Sequence, residues 1–188
     1  HIKFGVNKGI LAGDVMLSYA YQYLCSLQAD KLAPVLQVFN QTAIEIMEGQ
    51  QMDIDFEKRT EVTAGEYLKM IEYKTSVLLA AALKIGAIIA GADEQSRDLV
   101  YSFGLKLGLS FQITDDLLDT FGDGSKVGKK IGGDILNNKK TLLLITALNK
   151  ASHAQRDQLF LLMNEQNEDK KIAETIRIFD QLNIRNLI

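Results

Sequence analysis

One proline, Pro34, stands in a chain of 188 residues. That scarcity constrains the fold more than any other feature. Proline is the residue that most reliably ends a helix. Sustained two-residue alternation, the mark of a half-buried strand, is nearly absent. Apolar residues recur instead every three to four positions over long stretches. The pattern predicts an all-α fold, with helices packed on helices around a shared core. There is no internal repeat, low-complexity tract or interdomain linker, so residues 1–188 read as a single domain.

Taken in order, the first helix is expected over about Asn7–Leu27, with Asn7 as its N-cap. Small residues (Gly9, Ala12, Gly13, Ser18, Ala20) would let a neighbour approach it, and Asp14 reads as a satisfied polar group. A second helix is expected to begin after Pro34, placed near its first turn, and to run to about Met52. Residues Asp55 to Glu61 look like a solvated connection. Thr63-Ala64-Gly65-Glu66 has the form of a capping box and opens a third helix to about Ala90. That helix carries Lys74-Thr75 at its middle, followed by Ser76, Ala80, Ala81 and Ala82. After a turn at 91–95, a fourth helix runs from about Glu94 to Phe121. Gly122 to Asn138 reads as a loop with five glycines. The remaining helices (about Asn138–Ala151, Gln155–Gln166 and Lys170–Leu182) are amphipathic and carry no site signal. His153, beside a turn, reads as solvated.

The fourth helix ends in Asp115-Asp116-Leu117-Leu118-Asp119. Asp115 and Asp119 fall one turn apart on one face. Two carboxylates about 6 Å apart repel by roughly 3 kcal/mol at an effective dielectric of about 20. A solvated acidic helix end would tolerate this, and so would a bound hard cation, which prefers carboxylate oxygens. The next residues favour the cation. Five lysines (Lys126, Lys129, Lys130, Lys139, Lys140) follow the acidic run in a glycine-rich setting. Carboxylates beside such a loop suit a metal-bound polyphosphate, with lysines neutralising the remaining phosphate charge. The loop is no P-loop: its glycine spacings are one residue short or long, no strand precedes it, and Lys130 stands where Ser or Thr is required. By pattern alone Lys74 reads as a surface lysine more readily than as a functional one.

These segments, GLSFQITDDLLDTFGD and GKKIGGDILNNKKTLLL, resemble the second aspartate-rich region of the trans-type polyprenyl (isoprenyl) diphosphate synthases, the group of the farnesyl and geranylgeranyl diphosphate synthases. The likeness extends upstream: KGILAGDVMLSYAYQYL is similar to the family's segment after its first aspartate-rich motif, and Gly49-Gln50-x-x-Asp53 to a pattern near its active-site mouth, although Gln50 and Asp53 fit local capping as well. The resemblance implies an antiparallel helical bundle of the isoprenoid synthase type and a Mg2+-dependent prenyl transfer. An allylic diphosphate would lose pyrophosphate, and the double bond of isopentenyl diphosphate would attack the resulting cation. It implies Asp115, Asp116 and Asp119 as metal ligands, Asp115 foremost. It implies Lys74, Thr75, Gln112, Lys129 and Lys139 as diphosphate or substrate contacts, with Lys74, Asp115 and Lys139 closest to the chemistry. Lys129 matches the family's lid lysine, with Lys130 the alternative, and Lys139 is expected at a helix start. Phe111 fits a structural role. A homodimer and a cytoplasmic location belong to the same implication.

The family also uses a first aspartate-rich motif, and none precedes Asn7. The resemblance therefore implies that about the first third of a family member, with its first helices, and a short C-terminal piece lie outside these residues, and that the 188 residues alone are inactive. Rival readings are a non-catalytic regulatory subunit of a hetero-oligomeric synthase, a terpene cyclase and a scaffold with an incidental acidic patch. DDLLD with its three lysines fits the synthase better than any of these. A net charge of -3 with mixed signs argues against a nucleic-acid face. No apolar run reaches 18 residues, so no integral membrane segment is expected. A lone cysteine, Cys25, excludes an intrachain disulfide.

Overall fold

The structure, a computed structural model, describes residues 2–122 and 131–188. Its helices are α1 (Val6–Leu24), α2 (Ala29–Lys58), α3 (Ala64–Ile71), α4 (Val77–Ile89), α5 (Glu94–Phe121), α6 (Gly133–Leu136), α7 (Leu142–Lys150), α8 (His153–Met163) and α9 (Glu168–Gln181). A π-helical turn, Glu72–Ser76, joins α3 to α4, and a 3-10 turn, Ile184–Asn186, follows α9. Among the described residues there is no strand, as the periodicity predicts. Nor, among the described residues, is any helix long and apolar enough to cross a membrane.

The α3–α4 rod and α5 run antiparallel, as their cross-contacts show. Lys84 pairs with Asp98, a Cβ on Gly104 would meet Ala80, one on Gly108 would meet Ser76, and Tyr67 reaches Asp116. The register is thus fixed along the whole length of the pair. It depends on backbone-to-backbone approach: the added Cβ atoms would lie 2.5 Å from Ala80 Cα and 2.4 Å from Ser76 Cα. From the other side, α2 meets the π turn through Gly49, where a Cβ would lie 2.5 Å from the Lys74 nitrogen. A second core joins α7, α8 and α9 around Leu143, Ala147, Leu159, Ile178 and Phe179. Between them, Ile145 of α7 packs with Phe56, Tyr67, Met70 and Ile71.

Local signals explain most boundaries. Thr63 and Glu66 form the expected capping box, which starts α3. Asp93 accepts from the Ser96 N–H and starts α5 after a left-handed Gly91. Four expectations are corrected. α1 has no Asn7 cap: the helix begins one residue earlier, after Gly5 at φ 85, with no side-chain cap. α2 begins at Ala29 and continues to Lys58, so Pro34 lies inside it and Glu57 and Lys58 are helical. The ring removes one backbone bond near the helix start, while Val35 beside it is fully buried and holds the turn. The helix expected over Lys74 is interrupted by the π turn. Finally, α7 starts at Leu142 behind the Thr141 cap, because Asn138 adopts a left-handed φ of 52. Lys139 therefore precedes the helix instead of opening it.

The close approach generates a contrast. Gly108→Ala should lower folding stability by about 1–3 kcal/mol, because its Cβ meets backbone that cannot shift freely. Gly86→Ala, whose Cβ would meet nothing within 4 Å, should raise stability by about 0.5–1 kcal/mol through helix propensity. Urea unfolding of both variants checks the pair.

Candidate active site

The site forms where the end of α5 meets the π turn. Asp116, 5% exposed, turns inward. Its Oδ2 accepts a hydrogen bond from the Tyr67 hydroxyl of α3, and its Oδ1 accepts from Gln112 Nε2 at 3.1 Å. Gln112 Oε1 in turn accepts from the Thr75 hydroxyl at 3.2 Å. One chain of hydrogen bonds thus links α3, the π turn and α5. Asp119 faces the other way, toward the segment that follows the helix. Its Oδ2 accepts from the Asp134 backbone N–H at 2.9 Å, and its carbonyl accepts from the Gly132 N–H at 2.7 Å. Asp134 pairs with Lys139 at 2.7 Å. Lys74 pairs with Asp53 of α2 at 2.5 Å.

A cavity of about 60 Å³ is lined by Lys74, Gln112, Asp116, Lys139 and Lys140, with Asp53 and Tyr67. The structure thus gathers Lys74, Gln112, Asp116 and Lys139 of the residues read from the sequence. Thr75 reaches the cavity through Gln112, and Asp119 reaches it through Asp134 and Lys139. Asp115 is half-buried on the same last stretch of α5. Lys129 and Lys130 lie outside the described residues. Phe111, read as structural, is 61% exposed.

Sequence reading missed Tyr67 as a site residue. It lies seven positions before Lys74, and its position within an apolar helix face hid the hydroxyl. Asp53 and Asp134 appeared only inside broader patterns. Their role as lysine partners depends on packing between distant elements and left no local signal.

Burial governs the ionisation of this cluster. Desolvation raises Asp116 to about 6, against the hydrogen bonds from Tyr67 and Gln112 that favour its charged form. Burial also raises Asp119, opposed by the Asp134 N–H. Burial first, then the Asp116 charge, pushes the Tyr67 phenol far above its ordinary range. For Lys139, burial pulls downward, but the hydrogen bond and charge of Asp134 outweigh it and the net shift is up. Lys140, whose ammonium donates to the Asn138 carbonyl, is lowered by burial.

Comparison with known proteins agrees with the architecture. The family described as Polyprenyl synthetase matches residues 1–179. The short chain isoprenyl diphosphate synthase of Methanothermobacter thermautotrophicus is 38% identical over 182 residues, covering 96% of this chain and 56% of that protein. The geranylgeranyl diphosphate synthase of Methanosarcina mazei is 41% identical over 152 residues, covering 80% of this chain and 47% of that protein. The solved geranylgeranyl pyrophosphate synthetase from Pyrococcus horikoshii superposes with a TM-score of 0.93 at 33% identity, over 100% of this chain and 57% of that one. A geranylgeranyl pyrophosphate synthase from Corynebacterium glutamicum, solved in complex with isoprenyl diphosphate and magnesium, superposes with a TM-score of 0.87 at 30% identity, over 98% of this chain and 53% of that one. The chain spans about half the length of the relatives it matches.

Asp116 makes the fold sensitive to pH. Its folded pKa lies above its unfolded one, so the folded state holds the proton more tightly. Its stabilising contribution is complete below about pH 4 and is lost as pH rises through about 6. The loss is on the order of 2–3 kcal/mol. Denaturant unfolding across this range should show stability falling as pH rises, and Asp116→Asn should flatten that limb.

Proposed function

The chain belongs to the polyprenyl synthetase family, and from that premise we propose that it carries the allylic-diphosphate half of a prenyltransferase site. The reaction is condensation of isopentenyl diphosphate with an allylic diphosphate, giving a longer trans-polyprenyl diphosphate and pyrophosphate. One observation carries this reading. Lysines and carboxylates converge at the end of α5, and the same helix is apolar and exposed below them. Asp115, Phe111, Leu107, Phe103 and Leu99 form a continuous row of i, i+4 neighbours winding along about 24 Å of helix. The four apolar members are 47–64% exposed. On α4, Leu78, Leu79 and Leu83 follow Lys74-Thr75 and are 57%, 38% and 39% exposed. A polar head site leading to an apolar track suits a hydrocarbon chain that ends in a diphosphate.

The donor chemistry fits Mg2+. Asp115, Asp116 and Asp119 offer oxygen only. Two hydrogen bonds on the Asp116 carboxylate leave it further lone pairs. Among the described residues no three or more His, Cys, Asp or Glu groups form a ready cluster for a metal. Mg2+ needs none where one or two carboxylates and phosphate oxygens complete its shell. When bound, it would offset charge on the departing diphosphate. Lys74, Lys129 and Lys139 would bind and neutralise that diphosphate, and Thr75 and Gln112 would orient it. The apolar walls of α4 and α5 would keep water from the allylic cation, and the departing pyrophosphate would accept the proton lost after attack. The named ligands of the Corynebacterium relative support this assignment. A homodimer fits α1, whose Ile10, Val15 and Met16 are 59%, 49% and 72% exposed.

Thermal unfolding with Mg2+ and pyrophosphate tests the site. Together they should raise Tm, by the equivalent of about 2.7 kcal/mol at 100 times Kd, and either alone should do far less. Asp115→Ala and Lys139→Ala should remove most of the response. An unshifted Tm in the unmutated protein overturns the diphosphate assignment. Incubation with Mg2+, isopentenyl diphosphate and allylic primers should give elongated products wherever the other half of the site is also present.

A further inference from the structure

Lys171, on the first turn of α9, is 5% exposed. Its ammonium donates to the Leu136 carbonyl at 3.2 Å and to the Met163 carbonyl at 3.0 Å. These are the last residues of α6 and α8, where carbonyls lack helical partners and a cation is favoured. Its own helix gives it no such reason, because a cation near a helix N-terminus is disfavoured. Nor does stability alone account for it, since an apolar side chain would be buried at far lower desolvation cost. Burial lowers its ionisation.

What Lys171 grips leads into the site. Asn138 Nδ2 donates to the same Met163 carbonyl, at 3.0 Å. The N–H groups of Asn137, Asn138 and Lys139 bond back to Gly133, Ile135 and Asp134. At the other end of this segment, Gly132 has φ +83 and lies so close to Ile172 that a Cβ would approach its side chain to 2.8 Å. Two consecutive residues of α9 therefore touch both ends of the stretch 132–136, and Asn138 shares the Met163 carbonyl with Lys171. Within it, Asp134 holds Asp119 through its backbone and Lys139 through its side chain.

We propose that Lys171 is a positioning residue, which clamps the segment 132–139 to α8 and α9 so that Asp134 keeps Asp119 and Lys139 aligned for an anionic substrate head. The clamp is a feature of this fold; its use rests on the diphosphate reading above.

Hydrogen exchange and pyrophosphate binding test it together. Lys171→Met and the milder Lys171→Gln remove the ammonium, and Ile178→Val, in the buried part of the same helix, serves as a control for general destabilisation. Exchange at the amides of Asn137, Asn138 and Lys139 should quicken about tenfold in the Lys171 variants, the scale of a lost charged hydrogen bond. Ile178→Val should leave those amides unchanged relative to the rest of α7–α9. Affinity for pyrophosphate with Mg2+ should weaken about tenfold in the Lys171 variants and hold in Ile178→Val. Unselective exchange, an unchanged affinity, or an equal loss in Ile178→Val overturns the proposal. If the unmutated chain binds no pyrophosphate, the diphosphate reading falls, and the exchange pattern alone decides whether Lys171 holds the segment.

Discussion

Bare backbone meeting bare backbone is the contact on which the rest depends. α5 lies against Ser76 and Ala80 only because Gly108 and Gly104 present no side chain there, and α2 reaches Lys74 through Gly49 in the same way. Such packing cannot slide: one step along the helix would bring a Cβ into main-chain atoms. The register it imposes sets Tyr67 opposite Asp116 and Thr75 opposite Gln112. The π turn sits where the two contacts converge. The Val77 N–H that closes it bonds to Glu72 five residues back, a wider turn than α-helix allows, and such turns are frequent at functional sites. Lys74-Thr75 is thus fixed by neighbours on two sides as well as by its own helix.

Two of the three aspartates, Asp116 and Asp119, divide their work accordingly. Asp116 is drawn into the bundle and ties α3 to α5, so its carboxylate is oriented by Tyr67 and Gln112 whether or not anything is bound. Asp119 is drawn toward the following segment and orders it through the Asp134 N–H. The acidic motif therefore serves as a junction between the two cores as well as a cluster of charge. That gives a physical reason for Asp116 and Asp119 on a helix end they would otherwise destabilise.

The sequence made the broad architecture legible because its signals are local. Capping at Thr63, the turn at Gly91 and the apolar period on α5 each depend on neighbours within a few positions, and the structure agrees at all three. Lys74, Gln112, Asp116 and Lys139 are legible as a set through the resemblance to a family, not through local pattern alone, and they line one cavity. What stayed hidden depends on distant contacts. Pro34 looks like the opening of a helix, but α2 runs through it, with Val35 buried beside the ring. The π turn looks like any helical stretch, because its cause lies in the glycines of α2 and α5. Lys171 reads as one more polar residue of an amphipathic helix, since the carbonyls it binds lie 35 and 8 positions away in the chain. Propensity is overruled by tertiary contact at each of these places.

The pairing of the site's cations follows from the same geometry. Lys74 and Lys139 each rest against a carboxylate, Asp53 and Asp134, and each side chain is partly exposed. Ion pairs of this kind contribute only about 0.2–1 kcal/mol, so they restrain the ammonium groups without locking them. On the diphosphate reading proposed above, a ligand with several charges and many acceptor oxygens would compete with a single carboxylate for such a lysine at little cost. The carboxylates then perform a second task. They hold two flexible four-carbon side chains near the cavity, which would reduce the rotamer entropy lost on binding an anion there. A fully buried pair at these positions would hold its lysine more tightly, and no pair would leave the lysine dispersed in solvent.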